Sequence, residues 1–182
     1  MAEVRFYETD ELLHNRMSGW QALVWEGPAG EMERMPLREA RMINTRKMFV
    51  KPVKQKLFTG FVCEGTFNDQ IRMGPYSETE ECWVSDAVNF VTEYRCFVLR
   101  GDVLSARWYK GDWGVAIDRK RVLEAVEAWK GAPSAYTLDF GATDDGQTLL
   151  VEVNDGFSMG TYGLQPALYA AMLEARWQEM VP

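Results

Sequence analysis

The sequence has 182 residues, a net charge of −7, 47% hydrophobic residues and 13% aromatic ones. That apolar content excludes global disorder, and the length suits one domain or one domain with a short accessory segment. The acidic balance makes nucleic acid a disfavoured partner while leaving room for a nucleotide in a local basic pocket, and the three cysteines, Cys63, Cys82 and Cys96, with His14 as the sole histidine, indicate neither a zinc site nor a disulfide scaffold but buried thiols in a reducing compartment.

Residues 1–47 hold short apolar pieces, Val4–Tyr7 and Ala22–Trp25, between charged stretches, with a turn predicted at Glu26–Gly30. The N-terminus lacks the apolar core of a signal peptide, and no apolar run reaches the roughly 18 residues of a membrane helix, so a cytoplasmic protein without a membrane partner is expected. Met48–Val53 reads as a strand, Lys54–Gly60 as a loop and Phe61–Cys63 as the return strand. Residues 64–80 read as a polar, turn-rich connection and Cys82–Ser85 as a further strand. Glu93–Arg100 and Val103–Tyr109 predict a hairpin around Gly101-Asp102. Asp118–Lys130 predicts a helix capped by Asp118, with Val122, Ala125, Val126 and Trp129 on one face and Gly131-Ala132-Pro133 ending it. A second hairpin joins Ala135–Phe140 to Thr148–Val153 through Asp144-Asp145-Gly146, and a last helix runs from about Pro166 to Gln178. Strands outnumber helices and hairpins dominate, so an α+β fold on antiparallel sheets is expected.

Several residue groups can carry chemistry. In LLVEVND, side chains two apart share a strand face, which sets Leu150, Glu152 and Asn154 on one side and Val151 and Val153 on the other. A hairpin symmetric about the point between Asp145 and Gly146 places Asp139 opposite Glu152, and a bulge near Gly141 would shift that register by one. Oxygen ligands from Asp139, Glu152 and Asn154 suit Mg²⁺ together with phosphate oxygens; the same alternation also describes a solvated sheet face. Lys51, and Lys54 and Lys56 ahead of Thr59-Gly60, can meet phosphates through lysine charge and loop N–H groups, or can form a solvated turn. Neither GxxxxGK[ST] nor GxGxxG occurs. Arg95 and Arg107 can each hold an anion by two hydrogen bonds, or pair with Glu93 and Asp102 at the surface. In Glu81–Asp86 the backbone can read a base edge beside Trp83 or Val84, while Asp86 accepts from a ribose hydroxyl. The Ser158–Gly163 loop can line an acceptor site or simply connect strand to helix.

The order FVKP at 49–52, KLFTG at 56–60, EYRCFV at 93–98, LDFG at 138–141 and VEVNDG at 151–156 resembles the ATP-grasp superfamily, most closely its small bacterial and phage-associated members. The resemblance runs from about Met48 to Trp177. It implies residues 48–182 as a core with a nucleotide cleft between two α+β subdomains, and residues 1–47 as a short segment in place of a full leading domain. It implies Lys51 on the phosphates, Lys54, Lys56, Thr59 and Gly60 in a phosphate lid, and Glu81, Trp83, Val84 and Asp86 at the adenine and ribose. It places Arg95 on the γ-phosphate or acyl phosphate, and Asp139, Glu152 and Asn154 on magnesium. Lys51, Arg95 and Arg107 are the expected catalytic residues.

ATP and Mg²⁺ are the implied cofactors, with Mn²⁺ as an alternative. The implied activity is an ATP-dependent ligase that activates a carboxylate as an acyl phosphate for attack by an amine. Its partners would be small-molecule or peptide carboxylates and amines, with a homodimer or another chain completing the acceptor side. The rival expectations are a catalytically reduced ATP-binding regulatory or interaction module, and ATP-dependent phosphoryl transfer or nucleic-acid modification. The chain departs from the pattern in its second ATP-binding lysine: Lys47 is the only lysine before Lys51, and Arg34, Arg38, Arg41 or Arg46 would have to substitute.

Overall fold

A computed structural model describes residues 3–5, 24–26, 33–43, 46–54, 57–157 and 159–181. His14, Lys56, Ser158 and most of the predicted turn at 26–30 lie outside them. The chain divides into two compact units, whose described parts fall mainly within residues 33–88 and 89–181 respectively. Strands β1 (Glu3–Arg5) and β2 (Val24–Glu26) pair with each other. Among the described residues no helix is long and apolar enough to cross a membrane.

The first unit is built on a four-stranded antiparallel sheet. Its elements are β3 (Glu33–Pro36), α1 (Leu37–Ala40), β4 (Met48–Pro52), β5 (Phe61–Cys63), α2 (Phe67–Met73) and β6 (Glu81–Asp86), with strand order β3-β6-β4-β5. Strand alternation turns Met48, Val50 and Pro52 inward and leaves Phe49 and Lys51 on a partly exposed face. Met48 and Val50 join Leu37, Ala40, Cys63, Met73, Cys82 and Val84 in one core. Residues 33–43, to which the sequence assigns no element, thus supply a strand, a helical turn and two fully buried side chains, Leu37 and Ala40.

Residues 64–80 correct the expectation of a purely polar connection. Helix α2 forms there because Thr66 and Asp69 make a reciprocal capping box, a T-x-x-D form of the motif. Asp69 Oδ2 accepts from the amides of Thr66 at 2.9 Å and Glu64 at 3.0 Å and from the Thr66 hydroxyl at 2.8 Å. The helix buries only Asp69 and Met73 and leaves Phe67 and Ile71 in solvent, so it carries little apolar periodicity for the sequence to show.

The second unit holds β7 (Phe90–Leu99), β8 (Asp102–Gly111), α3 (Arg119–Ala128), β9 (Ala135–Thr143), β10 (Thr148–Asp155) and α4 (Pro166–Met180). Its antiparallel sheet has the order β10-β9-β7-β8. The β7–β8 turn falls on Arg100 and Gly101, both at positive φ (52° and 87°), one residue earlier than the sequence suggests; two such residues match the right-handed strand twist. Asp118 caps α3 by accepting from the Lys120 amide at 2.8 Å, and the Asp118 amide donates to Thr148 Oγ1 at 2.9 Å, tying the cap to β10.

One sheet face meets α3, where Cys96, Val98, Leu138, Phe140, Leu150 and Val153 pack with Val122, Ala125 and Trp129. A separate cluster joins Phe97 and Ala135 to Met159, Leu164 and Met172 of α4. All three cysteines are buried, and burial pushes Cys82 up to about 11 and Cys96 up to about 12, which keeps both as neutral core thiols.

Thr66→Ala should destabilise the protein by about 1 kcal/mol in urea unfolding, the usual effect of losing an N-cap oxygen. Burial pushes the Asp69 carboxyl up, but the Thr66 and Glu64 hydrogen bonds outweigh it and hold the group below its ordinary value. A depressed carboxyl stabilises the fold above its unfolded pKa and loses that contribution as pH falls through the folded one. The stability gap between the wild type and Asp69→Asn should therefore be full at pH 7 and close below about pH 4.

Candidate functional site

Strand β9 sets the site of the second unit. The hairpin begins with Thr148 opposite Ala142, Leu149 opposite Gly141 and Leu150 opposite Phe140, a register centred on Asp145. At Val151 the register shifts by one residue, after which Glu152 faces Asp139, Val153 faces Leu138 and Asn154 faces Thr137. The expected Asp139–Glu152 opposition is present, but its cause is this bulge and not a symmetric hairpin, and the bulge lies at Val151, away from Gly141. The shift also corrects the expected faces: Leu150 packs with Val153 against α3, while Glu152 and Asn154 lie on the other side.

Further pairings extend the row. Asp139 faces Arg95 of β7, and Arg95 faces Arg107 of β8. Glu152, Asp139, Arg95 and Arg107 therefore cross all four strands in register.

The centre of this row is a buried, two-pronged ion pair. Arg95 Nε donates to Asp139 Oδ1 at 2.8 Å and Nη2 to Oδ2 at 2.6 Å, with side-chain exposures of 9% and 1%. Arg95 Nη2 also lies 3.5 Å from Glu152 Oε1. Burial, reinforced by Glu152, raises the Asp139 carboxyl to about 6 against the opposing pull of Arg95. Burial opposes the Arg95 charge as well, but Asp139 outweighs it and raises the guanidinium above its ordinary value.

Two rings cover the Arg95 guanidinium, Tyr162 at 5.0 Å and Tyr109 at 5.9 Å, and the rings stack on each other at 5.0 Å. The Tyr109 hydroxyl donates to Glu93 Oε2 at 2.7 Å, and buried Glu93 also pairs with Lys110. The alternative surface pairs, Arg95 with Glu93 and Arg107 with Asp102, do not form. Arg107 Nε is buried and finds no hydrogen-bond partner among the described residues.

Glu152 and Asn154 stand side by side, with Asn154 Nδ2 donating to Glu152 Oε1 at 3.0 Å. Among the described residues no three His, Cys, Asp or Glu side chains gather as a metal cluster. The oxygen donors available are the Glu152 carboxylate, 41% exposed, the Asn154 amide oxygen, and the remaining lone pairs of Asp139. An all-oxygen set of this kind fits a hard divalent cation such as Mg²⁺.

In the first unit, Lys51 lies on β4 opposite Trp83 of β6. A Cβ at Gly60 would come within 2.7 Å of Phe49 Cζ and 3.3 Å of Lys51 Cβ, so glycine is what lets the loop end close against β4 beside Lys51. Lys54 and Thr59 are exposed. Trp83 pairs with Arg34 on one side and Lys51 on the other, and Val84 with Glu33 and Val50. Their backbone groups are committed to two ladders and offer no free edge to a base, whereas Ser85 and Asp86 run past the last described pair with β3.

Glu81 pairs with Arg34 at 3.2 Å and Asp86 with Arg46 at 2.7 Å. The other stand-ins for a second lysine are also engaged: Arg38 with Glu39, Arg41 with Glu78 and the Met73 carbonyl, and Lys47 with Glu64.

A family model described as an ATP-grasp domain, family 2 of its clade, matches residues 30–172. The chain belongs to this ATP-grasp family. Its fold is similar to that of D-alanine–D-alanine ligase from Bacillus anthracis, with 13% identity and a TM-score of 0.59 over 84% of this chain and 62% of that one. It is also similar to the ATP-grasp ligase PsnB solved with precursor peptide PsnA2 and AMPPNP, with 16% identity and a TM-score of 0.54 over 82% of this chain and 53% of that one. The chain thus spans between about half and three-fifths of the length of these ATP-grasp ligases. No curated protein matches it in sequence.

The resemblance read from FVKP, LDFG and VEVNDG is therefore correct at the level of the ATP-grasp family and fold. The motifs did not reveal that Arg95 is bound by Asp139, because the partners lie 44 residues apart and meet only through strand pairing. The Tyr109–Tyr162 cover over Arg95 likewise joins a strand to a distant loop with no local signal.

Arg95→Met leaves a buried carboxylate without its partner and should cost about 3–5 kcal/mol in urea unfolding. Combining it with Asp139→Leu should recover most of that loss, because no charge then remains to be compensated.

Proposed function

We propose that this chain binds ATP with Mg²⁺ and uses it to activate a carboxylate for condensation with an amine. The observation that carries this reading is the Glu152–Asp139–Arg95–Arg107 row with Asn154 beside it, in a chain of the ATP-grasp family. Glu152 and Asn154, with Asp139 behind them, would hold Mg²⁺, which supplies Lewis-acid charge to phosphate oxygens.

Arg95 spends Nε and Nη2 on Asp139, so its part is to keep that carboxylate ionised and oriented. Arg107, with a buried unpartnered Nε, holds the anionic oxygen of the transferred phosphoryl or of the acyl phosphate. Lys51 and Gly60 of the first unit are read separately, from the family resemblance, as phosphate-binding residues.

In this reading a carboxylate oxygen attacks the γ-phosphorus, the bond to the β-phosphate oxygen breaks, and ADP leaves with the electron pair. The amine nitrogen then attacks the acyl carbon, phosphate leaves, and the surplus amine proton passes to water. No Cys or His nucleophile is required, in keeping with the neutral buried thiols. The relatives' peptide and D-alanine substrates suggest small-molecule or peptide acceptors, and Tyr162 with Thr161 of the 159–163 segment offers an exposed surface for one.

A second reading is an ATP-binding module without ligation, favoured by the engagement of both Asp139 oxygens with Arg95. An ADP-release screen with MgCl₂ and pooled carboxylates and amines, followed by mass detection, separates the two. Ligation predicts acceptor-dependent ADP and phosphate with a condensed product. Binding of AMPPNP without ADP release from any pool sinks ligation and supports the module, and no binding at all sinks both. Glu152→Gln should raise the half-saturating Mg²⁺ concentration by roughly tenfold or more with little change in melting temperature. Arg107→Ala should raise KM for ATP or lower kcat while the Arg95–Asp139 pair keeps the fold intact.

A further inference from the structure

We infer that Arg176 of α4 is a positioning residue for Glu152 and Asn154: it clamps Asp155 and so holds the bulged register of β10 that turns those two side chains toward Asp139. Arg176 Nε donates to Asp155 Oδ1 at 2.6 Å and Nη2 to Oδ2 at 2.7 Å, with side chains only 11% and 5% exposed. The third prong, Nη1, reaches Glu179 Oε2 at 3.0 Å, and that same oxygen accepts from the Ser134 amide at 2.8 Å. Ser134 immediately precedes β9, so one guanidinium on α4 ties the last residue of β10 to the first turn into β9.

The physical reason lies in strand alternation. Asp155 follows Asn154 directly, so the two side chains leave opposite faces of β10, and fixing one fixes the rotation of the other. The register itself needs such a hold. Continued without the bulge, the pairing from Thr148 to Leu150 would place Val151 opposite Asp139 and Glu152 opposite Leu138, which packs in the α3 core. A one-residue slip therefore turns Glu152 from the Asp139 face into hydrocarbon.

Downstream of the bulge, buried Val153 favours the observed register through packing, and the ladder continues through Asn154 opposite Thr137 and Asp155 opposite Tyr136. Glu152 is 41% exposed, and its contacts include a 3.0 Å hydrogen bond from Asn154, a 3.5 Å approach to Arg95 and an interaction with the Asp139 carboxyl. The buried, two-pronged Asp155–Arg176 pair is the stronger directional restraint. The functional half of this inference rests on reading Glu152 and Asn154 as cation ligands; the register half does not.

The test uses the full chain with two readouts: hydrogen exchange of the 152–155 amides against those of 95–99, and MgCl₂ titration in the presence of AMPPNP. Arg176→Met should speed exchange at 152–155 by about tenfold or more relative to 95–99. It should also raise the half-saturating Mg²⁺ concentration about tenfold, the lower end of what losing a supporting contact does to a metal site. Arg176→Lys should restore part of both, and Asp155→Asn combined with Arg176→Met should be no worse than either alone.

A lower melting temperature with wild-type exchange at 152–155 and unchanged Mg²⁺ dependence would make Arg176 merely structural and overturn the inference. Where Arg176→Met fails to fold, Arg176→Lys and Asp155→Asn decide by the same readouts. If Glu152→Gln itself leaves Mg²⁺ dependence unchanged, the cation reading falls, and the exchange pattern alone upholds or overturns the register claim.

Discussion

All nine residues of β9 are buried, and Asp139 sits in the middle of them. A carboxylate there is costly to desolvate unless it is paired and hydrogen-bonded on both oxygens. Arg95 meets that requirement from the next strand, and its own burial is made tolerable by the same contact. The two tyrosine rings then complete the cover over the guanidinium, and Glu93 takes up the Tyr109 hydroxyl that would otherwise lack a partner. A single buried charge thus organises residues from three strands and one loop.

The bulge at Val151 is the second constraint, because it decides which β10 side chains join that charge. Leu150 and Val153 both contribute to the α3 core although three positions separate them, which a straight strand forbids. The shift releases Glu152 and Asn154 to the polar face, so the site and the core are settled by the same local irregularity. Bulges often re-aim side chains near functional sites, and this one exchanges an ordinary amphipathic strand for one that serves both faces.

In the first unit the controlling fact is the central place of β6. A strand flanked by β3 and β4 has both backbone edges occupied along Trp83 and Val84, which limits what that segment can offer a ligand to its side chains and its free end. Acidic groups of the same strand are matched locally, Glu81 by Arg34 and Asp86 by Arg46. These pairs are exposed and contribute little to stability, yet they show where the basic residues ahead of Lys51 are engaged.

Much was legible in the sequence because it depends on neighbours along the chain. Apolar, β-branched and aromatic runs marked β4, β7 and β8, Asp118 announced the start of α3, and the motif order from FVKP to VEVNDG carried the resemblance to the ATP-grasp family. Helix α2 was missed because its capping box uses Asp in place of Glu and its exposed face is apolar, so the usual periodic contrast is absent. Residues 33–43 gave no pattern because β3 has only four residues, two of them exposed, and its pairing partner β6 is nearly fifty residues away.

The sequence by itself therefore carried the family, through the resemblance of its motif order, and determined the α+β class and the chemical types available, since those last two follow from composition and local spacing. Tertiary structure alone decided that Arg95 belongs to Asp139, that Arg107 Nε finds no partner among the described residues, and that Glu152 faces Asp139 through a bulge. Each of those depends on the register between paired strands, some in one hairpin and some 44 residues apart, where a shift of one residue sends a side chain to the opposite face.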